Sequence, residues 1–141
     1  MIHISKTLSS QVKLIPSCAT QLIDALQGLS FTPEDLFKIK LSFEEALANA
    51  IVHGNHSQPD LSVEIALRIK EDSIEIDIVN QGEGFDFGKL PDPTRVENRE
   101  KLSGRGLFLI KNNMDQVFFF DQGRGITMIK VFAQKGAGCG H

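Results

Sequence analysis

The alternation of apolar and polar residues predicts five β-strands. Three segments alternate residue by residue, as half-buried strands do, since successive side chains point to opposite faces of a sheet. These segments are residues 2–8, 61–69 and 73–80. Two further apolar runs, residues 116–121 and 125–133, flank the turn Gln122-Gly123-Arg124 and are typical of a β-hairpin.

Apolar residues at helical spacing predict three helices. They cover residues 18–29, 33–52 and 106–114. The second helix has the clearest start, with Thr32 as the capping residue and Pro33 at the first helical position. Gly54 is expected to end it.

The order of these elements predicts an α+β fold. We expect a two-layer α/β sandwich with the helices on one face of a mostly antiparallel, mixed sheet. Residues 81–104 are rich in Gly, Pro and charge and are expected to form a long loop. The chain is expected to be one domain over residues 1–134, followed by a disordered tail at 135–141.

Composition narrows the classes of function. The 141 residues are 41% hydrophobic and 23% charged, as expected of a globular domain with a core. The net charge of −3 provides no broad basic face for nucleic acid. No apolar run is long enough to span a bilayer, and Cys18 and Cys139 have neither a disulfide nor a metal-site spacing. We expect a cytoplasmic protein that binds neither nucleic acid nor membranes.

The second predicted helix has two distinct faces. Its apolar stripe consists of Leu36, Ile39, Phe43, Leu47 and Ala50. Its polar stripe consists of Lys38, Ser42, Glu45 and Asn49. Glu45 and Asn49 are neighbours one turn apart, although Asn is a poor helix former. A solvated helix face explains such a stripe, and a carboxylate beside an amide also suits Mg²⁺, which prefers oxygen ligands.

Two glycine-rich segments flank the predicted loop. Gly82 and Gly84 follow a strand in "NQGEGFD" (80–86), where they either form a turn or let a flat ring approach the backbone. "SGRGLFLI" (103–110) leads into a helix, and the free N–H groups at a helix start suit phosphate. Either segment alone is weak evidence, because short glycine motifs recur by chance.

Three motifs in this order resemble the ATP-binding boxes of a known superfamily. Glu45-Ala-Leu-Ala-Asn49 matches the N box, E-x-x-x-N. Asn80-Gln-Gly-Glu-Gly84 matches the first glycine box, D-x-G-x-G, except at its first position, and Gly104-Arg-Gly-Leu107 matches the second, G-x-G-L. The chain thus resembles the histidine-kinase-like ATPases of the gyrase, Hsp90, histidine kinase and MutL superfamily, which have the Bergerat fold. The run "EALANAIVHG" (45–54) is most similar to small bacterial anti-sigma-factor serine kinases.

The resemblance implies a role for each motif residue. Glu45 is expected to accept the proton of a serine hydroxyl, and Asn49 is expected to be a Mg²⁺ ligand. The implied nucleotide-binding residues are Asn49, Asn80, Gly82, Gly84, Gly104, Arg105, Gly106, Leu107 and Thr127. Within this set, Thr127 is expected to help hold adenine through water. For Arg105, an equally good interpretation is a solvent-exposed residue of a lid over the site. For Thr127, an equally good interpretation is an ordinary strand threonine.

Asn80 departs from the family pattern, which has Asp at this position to accept a hydrogen bond from the adenine amino group. The Asn amide still accepts through its oxygen, and it can also donate to a ring nitrogen. Loss of the charge-assisted bond costs roughly 1–2 kcal/mol. We therefore expect weaker nucleotide binding or an altered base preference.

The implied function is regulation of transcription by partner switching. The chain would use ATP and Mg²⁺ to phosphorylate a serine on an anti-anti-sigma factor, would bind a sigma factor, and would form a homodimer. Asn80 motivates an alternative, a catalytically weak or inactive binding module whose nucleotide site has decayed. A third possibility is an ATPase domain that regulates something other than a sigma factor.

Overall fold

The structure is a computed structural model that describes residues 1–82 and 102–133, without the side chains of residues 102–105. Gly84, most of the predicted loop and the predicted disordered tail lie outside the described residues. In the described part, no helix is both long enough and apolar enough to cross a membrane.

The described elements follow the predicted order. The strands are β1 (Ile2–Ser9), β2 (Ser62–Ile69), β3 (Ser73–Asn80), β4 (Gln116–Phe120) and β5 (Gly125–Val131). The α-helices are α1 (Ile15–Ala25), α2 (Pro33–Ala48) and α3 (Leu102–Asn113). A π-helical segment, Asn49–Gly54, continues α2, and short 3₁₀ turns lie at Val12–Leu14 and Asp121–Gly123.

The five strands form one sheet in the order β1-β2-β3-β5-β4. Every neighbouring pair of these strands is antiparallel, so the described sheet contains no parallel pair, although a mixed sheet was expected. The α+β prediction is confirmed. β5 lies between β3 and β4, which places the turn before β5 beside the end of β3.

One face of the sheet carries the core. Alternate residues of the central strands are buried; they include Ile74, Ile76 and Ile78 on β3 and Ile126 and Met128 on β5. The helices contribute Leu22, Ile39, Phe43, Leu47 and Ile110 to the same cluster, and Leu26, directly after α1, belongs to it as well. The period-two burial of the strands and the buried helix stripe explain why the sequence pattern predicted two layers.

The start of α2 is fixed by reciprocal hydrogen bonds. The Asp35 N–H donates to Thr32 Oγ1 at 3.0 Å, and the Thr32 N–H donates to Asp35 Oδ2 at 3.1 Å. This capping box satisfies two backbone donors that a helix start otherwise leaves without partners. The helical path continues to Gly54, as predicted, but its last turn is π-helical.

The predicted polar stripe of α2 is wrong at Ser42, whose exposed fraction is 0%. α2 packs against α1 on one flank and α3 on the other, so its buried surface is wider than one apolar stripe. Ser42 Oγ has no hydrogen-bond partner among the described residues. A single sequence shows the sheet-facing stripe, but it does not show the flanks that other helices cover.

Two helix boundaries also differ from prediction. α1 ends at Ala25 rather than near residue 29, and Gly28 follows with a φ of +88° that a right-handed helix cannot contain. α3 begins at Leu102, four residues before the predicted start. The glycines of the second glycine motif therefore lie inside the helix and not in a loop that precedes it.

Replacing the capping threonine is expected to lower stability. Thr32→Ala removes the acceptor for the Asp35 N–H and should cost about 1 kcal/mol of unfolding free energy. Thr20→Ala is the matched control, because the Thr20 hydroxyl only donates to the Pro16 carbonyl within α1 and should matter little. Denaturation followed by far-UV circular dichroism measures both, since the chain has no Trp or Tyr. Equal stability of the two variants would contradict this account of the cap.

Candidate functional site

A cleft of about 320 Å³, partly open to solvent, lies where α2 ends, between the sheet and α3. Most of its lining is apolar or backbone, and two side-chain amides are present. The lining residues are Ala46, Asn49, Ala50, Ile78, Asn80, Leu107, Ile110, Gly123, Arg124, Gly125 and Ile126. Such a lining suits a flat, largely apolar ring with a few polar edges.

Asn80 lies at the buried end of this cleft, with an exposed fraction of 3%. Its N–H donates to the carbonyl of Arg124 at 3.0 Å, which ties the end of β3 to the turn before β5. Its side chain packs directly on Gly54, because a Cβ at position 54 would be only 2.5 Å from Asn80 Cγ and Nδ2. The last residue of the π-helical segment must therefore be a glycine for Asn80 to occupy its observed position.

Asn55 is a fully buried polar residue that the sequence analysis did not single out. Its Nδ2 donates to Ser10 Oγ at 2.8 Å and to the Ser62 carbonyl at 3.0 Å. Its Oδ1 accepts from the Gly82 N–H at 2.6 Å. One amide thus joins the end of β1, the start of β2 and the first glycine motif.

Gly82 is held from two sides. Its carbonyl accepts a hydrogen bond from Arg124 Nε at 2.9 Å, and Arg124 NH1 lies 3.4 Å from Asp121 Oδ1. A Cβ at position 82 would overlap the carbonyl oxygen of Gly54. The glycine is needed for close backbone approach. The sequence analysis placed Arg124 only in a turn, and no local pattern indicated its contact with Gly82.

Glu45 and Asn49 face the first turns of α3. A Cβ on Gly106 would lie 3.5 Å from Glu45 Cδ and 3.6 Å from Asn49 Nδ2. The structure therefore brings together Glu45, Asn49 and Gly106, and it places Asn49 and Leu107 in the lining of the same cleft as Asn80.

The second glycine motif differs from its predicted conformation. Gly104 and Arg105 lie in the first turn of α3 rather than in a loop, and their side-chain positions are outside the description. A helix start presents free backbone N–H groups over its first four residues, here 102–105. The motif can therefore still offer backbone N–H donors to an anion, but these donors belong to the first turn of the helix and not to a loop before it.

Thr127 does not line the cleft, which favours the alternative of an ordinary strand threonine. Thr127 Oγ1 donates to Asp77 Oδ1 at 2.7 Å, and Asp77 Oδ2 lies 2.8 Å from Arg68 NH1. These residues lie on the outer face of the sheet, away from the cleft. The hydrogen bonds that Arg68 donates to Asp77 and Glu75 raise the pKa of its guanidinium. Because strand side chains alternate, the preceding residue, Ile126, faces the cleft instead.

Comparison with known proteins agrees with the fold and the motifs. The chain matches the histidine kinase-like ATPase domain over residues 8–133. It therefore belongs to this ATPase domain family. It is 36% identical to "Serine-protein kinase RsbW" of Oceanobacillus iheyensis, over 76% of this chain and 72% of the relative. It is also 36% identical to "Anti-sigma F factor" of the same organism, over 73% of this chain and 74% of the relative. It is 30% identical to "Serine-protein kinase RsbW" of Listeria innocua, over 74% of this chain and 71% of the relative.

Membership in an ATPase domain family implies nucleotide binding, and in this member the cleft beside α2 contains the N-box residue Asn49 and the glycine-box residues Asn80 and Leu107. Gly82 is connected to the cleft by Arg124, which lines the cleft and donates a hydrogen bond to the Gly82 carbonyl. Within the described ranges, no group of three or more His, Cys, Asp or Glu side chains is placed to hold a metal ion. The side-chain amides in the cleft lining are those of Asn49 and Asn80, and the Glu45 carboxylate lies beside Asn49, opposite Gly106.

His53, which precedes Gly54 in the family motif, does not line the cleft. Its pKa is lowered from the usual value, chiefly by burial and secondarily by the nearby His56. The lowered pKa favours the neutral form of the His53 imidazole.

Two glycine-to-alanine variants should separate a tight backbone contact from an ordinary one. Gly54→Ala places a Cβ 2.5 Å from the buried Asn80 side chain and is expected to cost about 1–3 kcal/mol of stability. Gly106→Ala brings its Cβ no closer than 3.5 Å to Glu45 and should be neutral or slightly stabilising, since alanine favours helix. Chemical denaturation measures the difference. Equal losses in the two variants would show that Gly54 and Asn80 are not in close contact.

Removing the Asn55 amide is expected to loosen the whole site. Asn55→Ala leaves the Gly82 N–H and the Ser62 carbonyl without their partner in a buried place, at a cost of at least about 2 kcal/mol. Asn112→Ala, on the exposed face of α3, is the matched control and should change stability by less than about 0.5 kcal/mol. Urea unfolding midpoints compare them, and a midpoint shift no larger than that of the control would contradict the role given to Asn55.

Proposed function

We propose that this protein is an ATP-dependent serine kinase that also acts as an anti-sigma factor. It would bind a sigma factor and phosphorylate a serine of an anti-anti-sigma antagonist. The similarity to proteins named serine-protein kinase and anti-sigma factor supports this reading. The observation that carries it is the placement of Glu45 and Asn49 together, opposite Gly106 and beside an apolar cleft. A binding module without catalysis is not favoured, because the acid and the amide adjoin the same cleft.

Glu45 is the proposed general base. In the transfer, the serine oxygen forms a bond to the γ-phosphorus of ATP while the bond from that phosphorus to the β–γ bridging oxygen breaks, and ADP leaves. The Glu45 carboxylate accepts the hydroxyl proton as the nucleophile attacks. Because phosphoryl transfer depends mainly on positioning and charge, the fixed place of Glu45 on α2 matters more than its basicity.

Asn49 is the proposed protein ligand of Mg²⁺. The donor chemistry fits, because a side-chain amide oxygen next to a carboxylate is a hard-oxygen site, and Mg²⁺ commonly takes few protein ligands together with water and phosphate oxygens. Bound Mg²⁺ supplies charge neutralisation at the phosphates. Asn49 is the first residue of the π-helical segment, and it lines the cleft.

The two ends of the cleft suit the two ends of a nucleotide. The apolar walls, Ile78 and Ile126, and the buried Asn80 suit the base. The first turn of α3, with Gly104, Arg105 and Gly106, suits the phosphates through its backbone N–H groups and the helix dipole. Gly82 and Gly84 would border the base, although Gly84 is outside the described residues.

Several further features belong to this proposal. The protein would act in the cytoplasm as a homodimer, with residues 1–134 as the ATPase domain and residues 135–141 as a tail. The choice of sigma factor and antagonist would be made by surfaces outside the nucleotide cleft.

Replacing each of two neighbouring glutamates of α2 by glutamine tests the proposed kinase activity. Native protein, Mg-ATP and an antagonist already shown to bind it should yield antagonist carrying one phosphate, detected by mass spectrometry. Glu45→Gln removes the base and should slow transfer by roughly 10²- to 10⁴-fold, with ADP affinity preserved in calorimetry. Chelation of Mg²⁺ should also stop transfer.

Glu44→Gln is the matched control for this experiment. Glu44 is the adjacent acid on α2, and its carboxylate pairs with Lys40 at 3.3 Å on a different side of the helix. The Glu44→Gln variant should transfer phosphate at the native rate. An unmodified antagonist with native protein, or equal rates for Glu45→Gln and Glu44→Gln, would refute the proposed catalysis.

A further inference from the structure

Arg124 contacts the first glycine motif at two points. Its carbonyl accepts a hydrogen bond from the Asn80 N–H at 3.0 Å, and its Nε donates to the Gly82 carbonyl at 2.9 Å. The first contact belongs to the backbone, and the second belongs to the guanidinium group. Arg124 also lines the cleft. One residue of the turn before β5 therefore holds both ends of the segment formed by residues 80–82.

The same segment has further hydrogen bonds on the side of β2. The Gly82 N–H donates to Asn55 Oδ1 at 2.6 Å, and the Ser62 N–H donates to Gln81 Oε1 at 2.8 Å. Because β3 lies between β2 and β5 in the sheet, these bonds and those of Arg124 hold the segment from opposite sides. A substitution of the Arg124 side chain keeps its backbone bond and removes the contact with the Gly82 carbonyl.

The turn that carries Arg124 has an unusual backbone. Asp121, Gln122 and Gly123 have φ values of +53°, +55° and +85°. Two successive non-glycine residues in the left-handed region are costly, and such strain persists where the surrounding structure enforces it, often at functional sites. The ion pair between Arg124 and Asp121 does not account for this arrangement, because half-exposed pairs contribute little to folding stability. The turn does adjoin the cleft, since Gly123 and Arg124 both line it.

We propose that Arg124 is a positioning residue of the nucleotide site and that it acts through the Gly82 carbonyl. The inference rests on the proposed function, which places the base beside Gly82. In this role the guanidinium Nε holds the Gly82 peptide at the edge of the cleft before a nucleotide enters, so that binding does not have to order this peptide. Loss of the bond therefore lowers nucleotide affinity without removing any group that contacts the phosphates.

Two uncharged substitutions isolate this hydrogen bond. The side-chain nitrogen of Gln is as many bonds from Cα as Nε is in Arg, so Arg124→Gln keeps a donor for the Gly82 carbonyl. Met has a methyl group at that place, so Arg124→Met removes the donor and keeps a side chain of similar length. Both variants lose the charge and the ion pair with Asp121. The difference between them therefore reports the bond to Gly82.

Calorimetric titration with Mg-ADP compares the two variants with the native protein. Arg124→Gln should bind with a dissociation constant within about threefold of the native value. Arg124→Met should bind roughly tenfold more weakly than the native protein, as expected for one lost hydrogen bond. The stoichiometry of binding should equal the native value in both variants. A merely structural defect would instead lower the folded fraction, and with it the stoichiometry.

The outcomes separate this inference from the proposed function. Mg-ADP binding by Arg124→Met within about threefold of the native affinity overturns the role of Arg124 and leaves the nucleotide site intact. Equal losses in Arg124→Gln and Arg124→Met also overturn it, because the charge and not the bond to Gly82 would then be responsible.

Absence of Mg-ADP binding by the native protein overturns the nucleotide step of the proposed function, and the present inference with it. If Arg124→Met does not fold, Arg124→Gln decides by itself. A native-like affinity of that variant supports the role of the Nε donor, and a loss of more than about threefold overturns it.

Discussion

The close approach of two backbone segments, at Gly54 and Gly82, is the constraint on which this site depends. It joins the end of the α2 helical path to the segment that follows β3, and neither position has room for a side chain. The buried Asn55 amide holds the two segments together, because it accepts from the Gly82 N–H and donates to the Ser62 carbonyl. Without this contact, the helix layer and the sheet would not enclose a cleft at this end.

The π-helical turn that precedes this contact serves both packing and chemistry. It begins at Asn49, the residue proposed to bind the metal, and ends at Gly54, on which the Asn80 side chain packs. A π turn widens the helix and is frequent at functional sites. This one segment therefore contains both a residue that lines the cleft and the glycine on which Asn80 packs.

The two faces of the sheet have separate tasks. The inner face carries the apolar core and, at its end, Asn80 and Ile126. On the outer face, Arg68 pairs with Glu75 and Asp77, and Thr127 adds a hydrogen bond to Asp77. The pKa of Glu75 is lowered, first by its hydrogen bond from Lys70, so this network contributes stability above the usual pKa of a carboxyl group and loses it as the pH falls. Polar strand residues can thus stabilise the sheet without reaching the nucleotide.

The sequence by itself determined the α+β class, the five strands, the capped start of α2 and the pairing of Glu45 with Asn49, because these follow from residue periodicity and from spacing along one helix. Only the tertiary structure decided the burial of Ser42, the bonds of Asn55 and Arg124, and the helical state of Gly106. Asn55 and Arg124 each bond a partner more than 20 positions away, and Ser42 is covered by neighbouring helices. Thr127 shows the limit most clearly, since an error of one residue on a strand moves a side chain to the opposite face.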